Sequence, residues 1–265
     1  MGSRAPTVDV PPFLSLASHP LRWRMLVELA RSDRQVGELT RVVGQPQSLV
    51  SYHLARLRGG GLVSSRRSSF DGRAAYYRVH LEQCAAFLSV TAAALHPGLA
   101  SSGRSTPVRS PGRGERRVKV LFVCTGNGTR SQIAEGLLRQ RAGDTVEAVS
   151  AGSNPKPIHP NAIEVLAEQG IDISDARSKP IGQFSGYQVD YVITLCDKVR
   201  EVCPEFPGRR RVMHWSIEDP SRLPGTRRAT LPAFRVVAAD LESRIGFLIS
   251  LIDDDSHKEH TRHGS

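Results

Sequence analysis

The sequence predicts two domains, an N-terminal α+β unit carrying a helix-turn-helix and a C-terminal α/β unit built on a parallel sheet, on three observations. The stretch from Pro97 to Arg117, PGLASSGRSTPVRSPGRGERR, is rich in Pro, Gly, Ser and Arg and has no periodic apolar positions, which marks a flexible linker. Charge divides at the same place. Residues 1–117 hold 17 Arg, no Lys and 7 acidic residues, whereas residues 118–265 hold 19 basic and 19 acidic residues, so the net charge of +10 lies wholly in the first part. Before the linker, helical periodicity gives way to a hairpin; after it, short apolar runs alternate with helical segments. The implied boundaries are 1–96 for the first domain, 97–117 for the linker, 118–252 for the second domain and 253–265 for a disordered, solvated tail containing His257, His260 and His263.

In the first domain, Phe13, Leu16, Leu21, Met25, Leu26 and Leu29 recur at helical spacing. A short helix with Val36, Leu39, Val42 and Val43 then stops at Gly44. In QSLVSYHLARLRGGGLV, Val50, Leu54 and Leu57 share one helical face while Gln47, Ser48, Ser51 and Tyr52 share another. Two helices joined by a glycine-containing turn, the second with an exposed polar start, form a helix-turn-helix. Two β-prone runs, Leu62–Arg67 and Ala74–Val79, flank Asp71-Gly72, a hairpin signal that makes this segment a wing. Arg66, Arg67, Arg73 and Arg78 make the wing basic and suited to phosphate contact.

The stretches FLSLASHPLRWRMLVELA and GELTRVVGQPQSLVSYHLARLRGGGLV, with the wing, resemble the arsenical-resistance repressor (ArsR-type winged-helix) family from about Pro12 to Leu95. The resemblance implies a homodimer formed through this domain that releases operator DNA when a metal or metalloid binds. It puts Gln47, Ser48, Ser51, Tyr52 and His53 toward the major groove, although His53 can equally pack on the preceding helix. The family's arsenite site is a cysteine pair in the first helix of the motif, and Val36–Val43 contains no cysteine. Cys84, in the expected dimerisation helix Leu81–Leu95, is either an arsenite ligand or a structural thiol, and the inducer site stays open.

In the second domain, VLFVCTGNGTRS runs from Val120 to Ser131: a β-branched strand, a loop, then a helix through Ile133, Leu137 and Leu138. Cys124 and Arg130 bracket a C-x5-R-S loop. In such a loop the amides of Thr125, Gly126, Asn127, Gly128 and Thr129 and the Arg130 guanidinium converge on a tetrahedral oxyanion and stabilise the Cys124 thiolate that attacks it. Gly126 and Gly128 let the backbone turn its N–H groups inward, and Ser131 can donate to the sulfur. Downstream, Val146–Ala151, Val189–Leu195 and Arg211–His214 read as strands, and Pro160–Gln169 and Leu231–Ile252 as helices.

This region resembles the low-molecular-weight protein tyrosine phosphatase fold and, within it, the thioredoxin-coupled arsenate reductases, through VLFVCTGNGTRSQIAEGLLR, SAGSNPKPIHPNAIEVLAEQGIDIS, DYVITLCDKVREVCP and HWSIEDPS. The resemblance implies that Cys124 attacks As(V) and that Asp219 protonates a departing oxygen. Cys196 then attacks Cys124 to expel arsenite, and Cys203 takes over Cys196 to present a disulfide to thioredoxin or a mycothiol-type partner. Asp219-Pro220 is followed by Ser221-Arg222 rather than aromatic residues, which favours a small inorganic anion. Asn127, Glu135 and Ser150 match a potassium site of some relatives, but Lys179 stands where those relatives have an acidic residue, so its ammonium can stand in for the ion.

The expected whole is a DNA-binding repressor fused to an arsenate reductase with no tightly bound cofactor. The alternatives are a phosphatase or a non-turnover oxyanion sensor in the second domain. No apolar run approaches about 18 residues, no secretory signal is evident and Pro6 spoils a myristoylation motif, so a cytoplasmic protein with no membrane partner is expected. Four cysteines are too few for a disulfide scaffold.

Overall fold

The computed structural model describes residues 10–96, 99, 117–202 and 211–263, with side-chain surroundings through residue 255. The chain divides into two units, residues 1–66 with 75–106 and residues 67–74 with 107–265. The boundary near 106 falls in the Pro/Gly/Ser-rich stretch, most of which, with Cys203, lies outside the described residues.

In the first unit the apolar run from Phe13 is not one helix but two, α1 (Pro12–Ala17) and α2 (Pro20–Arg31). Pro20 cannot continue a helix but suits its first turn, and His19 caps it by accepting from Leu21 N at 3.2 Å. After β1 (Arg34–Gln35), α3 (Val36–Val43) opens with a capping box between Gln35 and Glu38 and ends at Gly44, whose φ of 63° is the left-handed conformation a helix stop needs. Then follow α4 (Gln47–Gly59), β2 (Val63–Arg67), β3 (Ala75–Val79) and α5 (Leu81–Leu95). The strands form a sheet in the order β1-β3-β2, with Arg34 opposite Tyr77. Met25, Leu39, Val50, Leu54, Leu57 and Leu62 fill the core with at most 1% exposure. Helix α5 is apolar yet contributes no buried residue, leaving Leu88, Val90 and Leu95 exposed.

The second unit runs β4 (Val118–Cys124), α6 (Arg130–Ala142), β5 (Val146–Gly152), α7 (Pro160–Ala167), β6 (Tyr191–Thr194), α8 (Asp197–Val202), β7 (Arg211–His214) and α9 (Arg227–His263). All neighbouring strands are parallel, in the order β5-β4-β6-β7. The strand order reverses direction about β4, and in open parallel sheets ligands bind beyond the carboxyl ends of the strands at such a switch. Helix α6 packs on β4 and β5 and against α9, around Phe122, Ile133, Leu166, Val192, Phe234 and Ile245.

The tail expected from Asp253 is instead the end of α9, which is helical through His263. Ile252 is buried, and Tyr191 Oη donates to Asp255 Oδ2 at 2.6 Å, so packing and a hydrogen bond carry the helix past the apolar periodicity that sequence reading follows. The side chains of His257, His260 and His263 lie outside the described residues. No described helix is long and apolar enough to cross a membrane.

Candidate active site and nucleic-acid interface

Cys124 is the last residue of β4, 1% exposed. The loop after it is fastened from one side. The N–H groups of Ser153, Asn154, Lys156 and His159 donate to the carbonyls of Cys124, Thr125, Gly126 and Gly128, at 2.8–3.2 Å. With these carbonyls drawn toward the segment after β5, the loop amides are left to face the opposite way. One of them, Asn127 N, donates to Cys124 Sγ at 3.2 Å, and Asn127 itself has a φ of 46°, a left-handed conformation that Asn tolerates better than most residues. A Cβ on Gly128 would lie 2.5 Å from Pro157 O, so the glycine is required for close approach. Gly128→Ala should therefore lower stability by about 1–3 kcal/mol through backbone displacement. Thermal unfolding of the full chain checks this, and an unchanged midpoint would contradict it.

Ser131 Oγ is 3.1 Å from Cys124 Sγ. Arg130, 4% exposed, is held by three groups: Nη1 donates to Ile217 O at 3.0 Å and reaches Leu195 O at 3.5 Å, and Nη2 donates to Asp219 Oδ2 at 2.8 Å. Its Nε is buried without a partner among the described residues. A guanidinium fixed this way keeps donor capacity for an entering oxyanion. Asp219 also accepts from Ser221 Oγ at 2.7 Å, through its other oxygen.

Cys196 follows β6, the strand beside β4, and Leu195 N donates to Val123 O at 2.7 Å, so Cys124 and the Leu195–Cys196 step sit at adjacent strand ends. Thr125 Oγ1 is 3.2 Å from Cys196 Sγ. Burial pushes the Cys196 thiol up, against the pull of the Arg130 charge and the Thr125 hydrogen bond. The structure thus brings together Cys124, Thr125, Asn127, Arg130, Ser131, Cys196 and Asp219 of the expected residues; Thr129 is the buried residue just before α6, and Gly126 lies under the Lys156 stem. Cys203 lies outside the described residues.

Sequence reading missed four contributors. The carbonyls of Leu195 and Ile217 orient Arg130, a backbone role with no residue signature. Gln132 Nε2 donates to Asn127 Oδ1 at 3.2 Å. Next to Cys196, fully buried Asp197 faces His214 Nε2 at 3.2 Å and accepts from Ser216 Oγ at 2.7 Å, pinning the start of α8 beneath β7. Polar residues within an apolar strand-end pattern were the available signal.

In the first unit, Gln47, Ser48, Ser51 and Tyr52 lie exposed on α4 and Arg66 and Arg78 are half-buried; Arg67 and Arg73, in the 67–74 segment grouped with the second unit, are exposed. The expectation that His53 faces DNA is corrected: its side chain is 4% exposed and its ring lies 4.3 Å from that of His19. Burial, with the nearby His19 and Arg22 charges, pushes the His53 imidazole below its ordinary range, so it is a neutral packing residue. Cys84 is half-buried on α5 with its thiol pushed up by burial, and no group of three His, Cys, Asp or Glu side chains able to hold a metal exists among the described residues.

A parallel sheet with a cysteine-arginine oxyanion cradle at its switch point and a late aspartate on the arginine defines the low-molecular-weight phosphatase class of α/β domains. The chain belongs to the low molecular weight phosphotyrosine protein phosphatase family, whose model matches residues 119–258, fused to an N-terminal segment of the bacterial regulatory protein arsR family, matched over residues 19–65. The second domain is similar to an arsenate reductase of Halalkalibacterium halodurans, 38% identical over 126 residues, and to one of Bacillus subtilis, 36% identical over 126 residues. Each alignment spans 48% of this chain and 91% of the relative. A solved arsenate reductase in oxidised state is 34% identical over 51% of this chain and 98% of its own, with a TM-score of 0.45.

Proposed function

We propose that the chain is an arsenic-responsive DNA-binding repressor whose second domain reduces arsenate to arsenite by a three-thiol relay. The observation that carries the reading is the second thiol: Cys196 Sγ lies 3.2 Å from the hydroxyl of Thr125, the residue after Cys124. A phosphatase has no use for it. In the proposed sequence, the Cys124 thiolate attacks As(V) and an oxygen leaves as water with a proton from Asp219. Cys196 then attacks Cys124 Sγ as its thiol proton passes to an arsenic-bound oxygen, the As–S pair of electrons stays on arsenic, and As(III) departs as arsenite. Cys203 attacks Cys196, freeing Cys124 and leaving a Cys196–Cys203 disulfide that a dithiol reductant of thioredoxin or mycothiol type reduces. Holding Cys196 as a neutral thiol spares the entering anion a second negative charge.

The test is arsenate-dependent NADPH consumption by the full chain with thioredoxin and thioredoxin reductase. Sustained turnover supports the reading. Its absence, with sustained hydrolysis of p-nitrophenyl phosphate, favours the phosphatase; no turnover of either favours an oxyanion sensor.

For the first domain the reading is a homodimer, through the exposed apolar side of α5, that sets the exposed polar start of α4 in a major groove and the basic hairpin on phosphates. Removing Arg67 and Arg73 together should flatten the dependence of log affinity on log salt by about two, since each phosphate neutralised contributes about 0.9. Fluorescence anisotropy on duplex DNA across a salt series checks this, and an unchanged slope would remove both arginines from the interface. Arsenite made by one half is the inducer that the other half would answer to, with Cys84 its candidate ligand.

A further inference from the structure

The buried network behind the nucleophile has a fixed direction, and it ends on a cation supplied by the chain itself. From the sulfur outward, Ser131 Oγ is 3.1 Å from Cys124 Sγ, and Asn127 Nδ2 donates to Ser131 Oγ at 2.8 Å and to Ser150 Oγ at 2.7 Å. Ser150 Oγ in turn donates to Glu135 Oε2. Lys179 grips this chain at its middle and at its far end. Its backbone N–H donates to Asn127 Oδ1 at 2.7 Å, and its ammonium lies 3.2 Å from Glu135 Oε2.

The proton directions follow from these partners. Asn127 Oδ1 receives two N–H donors, from Lys179 and Gln132, so the amide cannot flip and Nδ2 must face the two serines. Ser150 accepts from Asn127 and gives its one proton to Glu135 Oε2. Ser131 likewise accepts from Asn127, which leaves its proton for Cys124 Sγ. Glu135 is 4% exposed, so its charge needs a close counter-ion. Arg139 Nη2 meets its other oxygen at 2.6 Å, but the Arg139 side chain is 60% exposed, against 29% for Lys179.

The same atoms decide against potassium. Asn127 Oδ1, Ser150 Oγ and Glu135 Oε2, the oxygens expected to hold it, are aimed at by N–H, O–H and ammonium donors. An ion among them would sit on donor protons. The residues present do not fit it.

We infer that Lys179 is a built-in monovalent cation: a positioning residue whose ammonium on Glu135 Oε2 and backbone N–H on Asn127 Oδ1 hold the network that points the Ser131 proton at the Cys124 sulfur, without any external ion. This rests on the proposed function only in taking Cys124 as the nucleophile of arsenate reduction; the effect on the sulfur itself is independent of substrate. The test is the rate of iodoacetamide labelling of Cys124 in the full chain at pH 7, read by mass spectrometry of its peptide. Buffers contain potassium, methylammonium or tetramethylammonium chloride at equal ionic strength.

The wild type should label equally in all three. Lys179→Ala should label roughly threefold to tenfold more slowly in tetramethylammonium, the loss of a charge-assisted hydrogen bond being partly offset by the greater intrinsic reactivity of a less stabilised thiolate. Potassium or methylammonium, small enough for the vacated space, should restore most of the rate. Lys179→Met keeps the stem and blocks the space, so it should be slow in every buffer. Potassium dependence in the wild type, wild-type labelling in either variant, or a slow Lys179→Ala that no cation rescues would each overturn the inference. If the labelling pattern holds while the wild type fails to reduce arsenate, the proposed reaction falls and the role of Lys179 stands.

Discussion

Cys196→Ser should abolish sustained arsenate-dependent NADPH consumption, a loss of at least about three orders of magnitude, while arsenate still binds within about threefold of the wild type. The serine hydroxyl can keep the contact to Thr125 Oγ1 that the thiol makes at 3.2 Å, and none of the anion-facing amides or Arg130 contacts depends on sulfur at this position. What disappears is the only described sulfur, other than Cys124 itself, at the cradle. Without a second sulfur to attack Cys124, arsenic bound there cannot be released as arsenite with two more electrons, and the variant stops at or before the covalent adduct. Calorimetric titration with arsenate and the coupled NADPH assay separate the two effects. Arsenate reduction at the wild-type rate by Cys196→Ser would end the relay assignment, and loss of anion binding as well would mean that the substitution had damaged the cradle.

Arg130→Lys should lower the rate by about 100- to 1,000-fold and weaken anion binding, despite conserving charge. The guanidinium makes a planar set of bonds to Ile217 O, Leu195 O and Asp219 Oδ2 and still leaves Nε buried and available. A lysine ammonium has three donors on one atom and cannot span those acceptors and an oxyanion at once. In the resting geometry Asp219 is occupied by Arg130 at 2.8 Å. In the proposed reaction, an entering oxyanion competes for the guanidinium and releases Asp219 from it, which would tie the acid role to substrate arrival. The lysine variant should lose this link as well as the grip. Single-turnover kinetics across an arsenate series would report both, and wild-type rate with wild-type affinity would exclude a bidentate role.

The strand, loop and helix around Cys124 were legible because each obeys a local rule: a β-branched run, glycines at a tight turn, then helical periodicity. Arg211–His214 was read with its observed ends for the same reason. The break between α1 and α2 was missed because apolar spacing runs through Ser18 and His19, and only Pro20 signals the restart. His53 was ambiguous because it shares a helix start with four exposed polar residues; burial against His19 is decided by packing between α2 and α4, which spacing alone does not contain. Cys124, Arg130, Ser131, Cys196 and Asp219 were found as residue types at family spacing. The direction of the hydrogen bonds among Asn127, Ser131, Ser150 and Glu135 was not, because it depends on Gln132 and Lys179 reaching one carboxamide oxygen from separate segments.

The loop after β4 is stitched by four backbone hydrogen bonds to residues 153–159, so its form is settled before any anion arrives. A rigid seat of that kind accepts tetrahedral tetra-oxo anions by shape and charge, and phosphate differs from arsenate in neither respect by much. In the proposed reduction, discrimination therefore falls to the step after docking, where arsenic accepts two electrons and phosphorus does not. A protein working in this way is throttled by the cell's inorganic phosphate, and its output tracks the ratio of the two anions rather than the amount of arsenate alone.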